Sequence, residues 1–138
     1  MAEPAGALAI ATLDHYRPHI RGKKVICVVS GGNNDISRTE EIRERALLYE
    51  GLKHYFIIRF PQRAGALKDF VVNVLGPYDD IVHFEYMKKN NREAGPALVG
   101  IEFKQTNQME RLQTNLRQYH FNFEYLNNGS SDLLRFLV

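Results

Sequence analysis

The sequence predicts an α+β fold: a ferredoxin-like βαββαβ domain over residues 51–138, preceded by a piece of an α/β domain over residues 1–50. Three observations carry that expectation. Downstream of residue 50, four short stretches of strand character and two of helical spacing follow one another as strand, helix, strand, strand, helix, strand. Upstream stands one run of five consecutive apolar residues, Val25-Ile26-Cys27-Val28-Val29, the pattern of a strand buried on both faces of a parallel sheet. A turn with two glycines follows that run and hands over to a helix.

The first helix is expected from Glu3 to about Tyr16, with Pro4 in the first turn, where its missing N–H costs nothing. His15, Arg17 and Pro18 end it, and the basic turn Arg21-Gly22-Lys23-Lys24 leads into the apolar run, where Cys27 reads as a buried small hydrophobe. Ser30-Gly31-Gly32-Asn33-Asn34-Asp35 is the turn. Ser37 and Glu40 make a capping box, and Ile42, Ala46, Leu47 and Tyr49 lie near one face of the helix that follows. Glycine turns between a parallel strand and a helix are where ligands sit in open sheets, although a plain tight turn also fits the local sequence. A buried parallel strand needs neighbours, and residues 1–50 supply only the one. They therefore read as the tail of a larger domain, partly mobile or borrowing contacts from a neighbouring copy.

Beyond Lys53, the strand His54 to Phe60 puts Phe56, Ile58 and Phe60 on one face and Tyr55, Ile57 and Arg59 on the other. Pro61 to Gly65 turns into a helix with Leu67, Phe70, Val71, Val74 and Leu75 at helical spacing, stopped by Gly76-Pro77. A strand from Ile81 to Lys88 groups Val82, Phe84 and Tyr86. A hairpin loop, Lys89 to Gly95, joins it to a strand from Ala97 to Lys104 with Val99, Ile101 and Phe103 inward. Asn107 is placed to cap a helix carrying Met109, Leu112, Leu116 and Tyr119, and Phe123 and Tyr125 mark the last strand before the Asn128-Gly129 turn. Such a sheet keeps one face uncovered and its edges open, so pairing with another copy is expected.

Length limits the chain of 138 residues to one domain, or one and part of another. With 44% hydrophobic and 25% charged residues, wholesale disorder is excluded. A net charge of +2 gives no reason to expect a nucleic-acid or membrane partner. No apolar run approaches the ~20 residues that cross a bilayer. Glu3 near the start argues against a secretory signal, and one cysteine forms no intrachain disulfide, so a reducing, cytoplasmic setting is expected.

Physical reasoning places a ligand at the turn Pro61-Gln62-Arg63-Ala64-Gly65-Ala66-Leu67. Gly65 lets the backbone come close, and the new helix offers unpaired N–H groups to a carboxylate. Arg63 is either a carboxylate partner or a solvated side chain. The strand from Asp80 to Tyr86 is expected to be an interface wall, with Glu85 as an ammonium partner. No metal site is expected.

Several strings carry a resemblance. They are Glu3-Pro4-Ala5-Gly6-Ala7, VICVVSGGN (25–33), HYFIIRFPQRAGAL (54–67), YDDIVHFEYMKKNNREAGPALVGIEF (78–103) and the closing DLLRFLV. Together they resemble the C-terminal part of biosynthetic threonine deaminase (threonine dehydratase, threonine ammonia-lyase), in the form with a single ACT-like regulatory module. The resemblance implies that residues 1–50 are the tail of a fold-type II pyridoxal-phosphate (PLP) domain. In that family the serine of the S-G-G-N turn, here Ser30, bonds the pyridine nitrogen, with Gly31, Gly32 and Glu3 near the cofactor. It also implies a full-length enzyme converting threonine to 2-oxobutanoate and ammonia, the first step of isoleucine biosynthesis. The family's Schiff-base lysine and glycine-rich phosphate loop have no counterpart here, and Lys23 and Lys24 read as solvated charges. No cofactor is expected on this chain, and it should not deaminate threonine by itself. Residues 51–138 resemble the ACT-like module that binds isoleucine as feedback inhibitor and valine as its antagonist. The turn lacks the acidic residue and second proline of many ACT modules.

Two readings from other classes compete. An RNA-binding module would display His54, Tyr55, Phe84 and Tyr86 on its open sheet face, but the expected basic-aromatic string is absent and Glu102 puts an acid in the third strand. A ligand-free assembly module would use only the sheet edge. The chain also reads as a fragment of a longer enzyme.

Overall fold

A computed structural model describes residues 2–32, 38–86 and 94–128. The chain divides into two units, Met1–Ile42 and Arg43–Val138.

In the first unit the expected single helix is two: α1 (Pro4–Ala11), with Pro4 in its first turn, and α2 (Leu13–Ile20). Thr12 separates them, and its hydroxyl donates to the Ala9 carbonyl (3.1 Å). That local bond competes with the helix ladder. Pro18 does not end α2, which closes two residues later at the turn holding Gly22 (φ 75°). Residues 25–29 are not a buried strand. Val25, Ile26, Val28 and Val29 are exposed, Ile26 by 92%, and the one nearby bridge joins Ala2 to Gly31. A strand needs a neighbour to pair its backbone groups, and among the described residues this segment has none. Cys27 is half-buried rather than buried; its thiol donates to the Ala9 carbonyl (3.6 Å).

α3 (Thr39–Tyr49) follows; the Ser37 half of the expected capping box lies outside the described residues. Its sheltered side is Glu44, Leu47 and Leu48. Ile42, Ala46 and Tyr49, grouped with Leu47 by periodicity, are exposed. The reason is Glu44, whose bonds to Lys53 and Tyr55 turn the helix by its polar side.

The second unit holds the sheet: β1 (Lys53–Pro61), β2 (Asp80–Tyr86), β3 (Ala94–Glu102) and β4 (Asn122–Tyr125), in the order β2-β3-β1-β4 with every pair antiparallel. This is the ferredoxin-like arrangement of an α+β domain. Phe56, Ile58 and Phe60 of β1 and Ala97, Val99 and Ile101 of β3 are buried under two helices. One is α5 (Gln108–Gln118), which adds Leu112 and Leu116. The other is α4 (Ala66–Asp69), prolonged by a π-helical turn over Phe70–Val74, which adds Ala66, Phe70 and Val74. Phe60 is the hub of the aromatic part, its ring within 5.3–6.1 Å of Phe70, Phe84, Tyr86 and Phe121.

Four local departures from simple periodicity matter. The π turn closes with the Leu75 N–H on the Phe70 carbonyl (3.3 Å), an i to i+5 bond; it keeps Phe70 and Val74 on one stripe and leaves Leu67 and Val71 exposed. A bulge between Ile81 and His83 inserts Val82. Ile81, not Val82, therefore joins Phe84 and Tyr86 on the helix side, opposite Ile101, Val99 and Ala97. β3 begins at Ala94, so Gly95 belongs to the strand, not to the loop; residues 87–93 lie outside the described ones. Asn107 stands at the N-cap of α5 with no side-chain cap bond, because its backbone is already helical (φ −74°, ψ −2°) and aims the side chain away from the first N–H groups.

α5 ends in a Schellman pair: the Phe121 N–H reaches the Leu116 carbonyl (2.9 Å) and the His120 N–H that of Arg117 (3.1 Å). His120 takes the left-handed position (φ 59°). Tyr119, expected to be inward, is the C-cap and exposed. Asp79, whose side chain is wholly buried, accepts from Arg111 of α5 (2.7 Å to Oδ1) and from the Gly76 N–H (2.7 Å). Asn115 donates to the Val74 carbonyl (3.0 Å). These bonds tie α5 to the end of the neighbouring helix.

Candidate functional site

β1 runs to Pro61 and delivers its last buried ring, Phe60, to the floor of a pocket of about 570 Å³. The turn Pro61 to Gly65 and the start of α4 form one side, down to Lys68; Phe84 and Tyr86 of β2 form the other. The volume suits a small organic ligand. Two glycines make the shape. Gly65 is left-handed (φ 86°) at the N-cap of α4, which lets the chain turn from strand to helix in four residues. Gly95 makes room for Tyr86, since a Cβ there would lie 2.8 Å from its ring.

Polar groups gather on the turn. Arg63 Nη2 is 2.7 Å from Asp69 Oδ2, and both side chains are substantially exposed. Leu67 and Lys68 occupy the first helical turn, and their N–H groups meet no backbone acceptor among the described residues, whereas that of Asp69 reaches the Gly65 carbonyl (2.8 Å). The pocket therefore combines aromatic and aliphatic walls with two cations and two helix-start amides. Those features fit a molecule with an anionic head and an apolar body.

The expected effector residues are largely brought together: Pro61, Gln62, Arg63, Gly65, Ala66 and Leu67 all line the pocket. Glu85 is elsewhere. It sits opposite Leu98 on the far face of the sheet, with Oε2 3.9 Å from His83 Nε2. The alternation of β2 that brings Phe84 and Tyr86 into the pocket sends Glu85 away from it. Sequence reasoning did not single out Phe60, Lys68, Phe84 or Tyr86 as contacts, and took Ala64 only as part of the turn. The period-two pair on the expected wall strand was the available signal for the two β2 rings.

At the other end of β1, Glu44 accepts from Lys53 Nζ and from Tyr55 Oη (2.7 Å). Burial alone would raise the Glu44 carboxyl, but the bonds from Lys53 and Tyr55 and the charges of Lys53 and Arg43 outweigh it and hold the group below its ordinary value. Burial, then the Glu44 carboxylate, raises the Tyr55 phenol. Of the aromatics an RNA surface would need, His54, Phe84 and Tyr86 face the helices. Tyr55 lies buried beside Glu44. The open face offers no stacking platform from these residues.

In the first unit, Glu3 and the S-G-G turn do meet. Ser30 Oγ donates to Glu3 Oε1 (2.9 Å), the Glu3 N–H bonds the Ser30 carbonyl (3.2 Å), and a Cβ on Gly6 would lie 2.0 Å from that carbonyl oxygen. Among the described residues the corner holds one hydroxyl, whose proton is engaged by Glu3, and the turn at Gly31 and Gly32. Lys23 and Lys24 are exposed in the preceding turn. No chemical step is assigned to these groups. Among the described residues no cluster could hold a metal ion, and no helix is long and apolar enough to cross a membrane.

Residues 44–137 match the family model described as the C-terminal regulatory domain of threonine dehydratase. The chain belongs to that family. It is also 57% identical over 131 residues to the L-threonine dehydratase biosynthetic IlvA of Halalkalibacterium halodurans, covering 95% of this chain and 32% of the relative. With the protein of the same name from Bacillus subtilis it shares 54% over all 138 residues, 32% of the relative. With that of Staphylococcus aureus strain NCTC 8325 it shares 51% over 129 residues, 94% of this chain and 31% of the relative. The chain thus spans about a third of the length of the curated relatives it matches. The regulatory family covers the sheet and the pocket, while the identity to the relatives extends through the first unit as well.

Proposed function

We propose that the chain is the amino-acid-binding regulatory region of a biosynthetic threonine dehydratase, a PLP-dependent enzyme converting threonine to 2-oxobutanoate and ammonia at the start of isoleucine biosynthesis. Residues 51–138 form the ACT-like effector domain, and residues 1–50 are the tail of the catalytic domain. Isoleucine and valine are the effectors, and the pocket on Pro61, Gln62, Arg63, Gly65, Ala66 and Leu67 is where they dock. The chain alone is not catalytic and retains no PLP; Ser30, Gly31, Gly32 and Glu3 are one corner of a cofactor site completed by other parts of the enzyme. The setting is cytoplasmic, and copies associate through the open sheet edges β2 and β4.

One observation carries this reading: in a chain of the threonine dehydratase regulatory family, the apolar pocket opens on a turn that bears Arg63, Lys68 and two unpaired amides. A carboxylate settles against the amides and cations, and a branched aliphatic side chain covers the rings of Phe60, Phe84 and Tyr86. Regulation requires that the effector prefer one state of the enzyme, since equal affinity shifts nothing. A hundredfold preference supplies about 2.7 kcal/mol of coupling. Calorimetric titration of the chain with isoleucine, valine and threonine tests the proposal. Heat from the first two and weak or no response to threonine is expected, while silence with all three would leave a ligand-free assembly module.

A further inference from the structure

A zwitterion has two charges, and the described residues of the pocket lining supply charged partners for only one. Arg63 and Lys68 are cations, and none of the described lining residues is an acid. A carboxylate touches one of those cations: Asp69, one turn along the helical segment, is held by Arg63 at 2.7 Å. The residue that sequence reasoning offered for the ammonium, Glu85, lies on the opposite face of the sheet. Resting on the reading of the pocket as an amino-acid site, we propose that Arg63 and Asp69 form an exchangeable clamp. The ligand's carboxylate replaces Asp69 on the Arg63 guanidinium, and its ammonium takes the freed Asp69 carboxylate.

The exchange leaves every charge paired. One internal ion pair opens and two pairs to the ligand form, so neither side chain is stranded. Because both side chains keep solvent access, 61% exposed for Arg63 and 40% for Asp69, the internal pair is weak and easily opened. A carboxylate without an amino group gains less: it must displace Asp69 from Arg63 and gives Asp69 nothing in return. Asp69 is therefore a specificity-determining residue, selecting amino acids over the corresponding simple acids while Arg63 recognises both.

Removing the Asp69 charge must then act with opposite signs on two ligands. Isothermal titration of the whole chain with isoleucine and with 3-methylpentanoate, the same skeleton without the amine, reads this directly. The native chain should prefer isoleucine by about tenfold, the equivalent of one charge-assisted hydrogen bond. Asp69→Asn should weaken isoleucine by about tenfold and tighten 3-methylpentanoate, because Arg63 no longer has an internal competitor. Asp69→Glu should keep the preference, and Arg63→Gln should weaken both ligands. General damage to the fold cannot strengthen one ligand while weakening the other. If Asp69→Asn moves both affinities the same way, or neither, while the native chain still binds isoleucine, the clamp is wrong and the pocket assignment stands. If the native chain binds neither ligand, both fall.

Discussion

Asp79 offers a stringent test of how the helices are held on the sheet. Its carboxylate is wholly buried, accepts from the Arg111 guanidinium and from the Gly76 N–H, and sits where the segment after Val74 leads into β2. Asp79→Ala removes both acceptors at once. Breaking a fully buried ion pair from one side costs about 3–5 kcal/mol, but Arg111 retains 36% exposure and can rehydrate, so roughly half of that is the appropriate charge contribution. The stranded Gly76 N–H adds about 1 kcal/mol, giving a loss of about 3 kcal/mol. In a domain of about 100 residues each kcal/mol moves Tm by about 4–8 °C, so a fall of roughly 15 °C is expected. Urea titration should show a lower midpoint with an unchanged slope. Asp79→Asn, which can still accept from Gly76, should fall between the variant and the native chain. A loss below about 1 kcal/mol for Asp79→Ala would mean that the bridge does not hold the helices and that apolar packing alone does.

Two further outcomes follow from the same structure. His54 bonds Tyr125 Oη (2.8 Å) through Nδ1 and the Gly51 carbonyl (2.9 Å) through Nε2; a carbonyl only accepts, so Nε2 carries the proton and neutral Nδ1 accepts from the phenol. Burial lowers the His54 pKa against the opposing Gly51 bond, so the unfolded chain takes up its proton first as pH falls. His54 should contribute fully above its unfolded value near 6.5 and lose that contribution as pH drops through the lower folded value. His54→Gln should flatten the stability-against-pH curve there in denaturant titrations, and an unchanged slope would exclude the assignment. His120→Gly should raise stability by about 1 kcal/mol, because the left-handed residue closing α5 is strained with any side chain; a lower Tm would show that the imidazole compensates for that strain.

How much of this was legible in the sequence depended on whether one face of each element meets one environment. β1 reads cleanly because Phe56, Ile58 and Phe60 all meet the helices, and β3 likewise through Val99 and Ile101. β2 misled at its start: Ile81 and Val82 are both apolar, so alternation could not reveal a bulge that swaps their faces. The π turn was invisible for the same reason, since Val71, Val72 and Val74 offer helical spacing on several faces. The run at 25–29 has the composition of a central strand, yet a strand's burial is a property of its neighbours, and here none is described. The turn from Pro61 to Leu67 was legible as a concave feature because glycine, a helix start and a basic residue coincide there, and it lines the pocket. The opposite wall was only half legible, since Phe84 and Glu85 differ by one position and therefore by one face of the sheet.

The central claim is that the turn opening α4 recognises a branched aliphatic amino acid. Titrating isoleucine into the isotopically labelled chain and following the backbone amides tests it most directly. The account predicts saturable shifts centred on Gly65, Leu67 and Lys68 and reaching Tyr86 across the pocket. Shifts confined to the Ser30 turn or to the far sheet face around Glu85, or none at millimolar isoleucine, would contradict it.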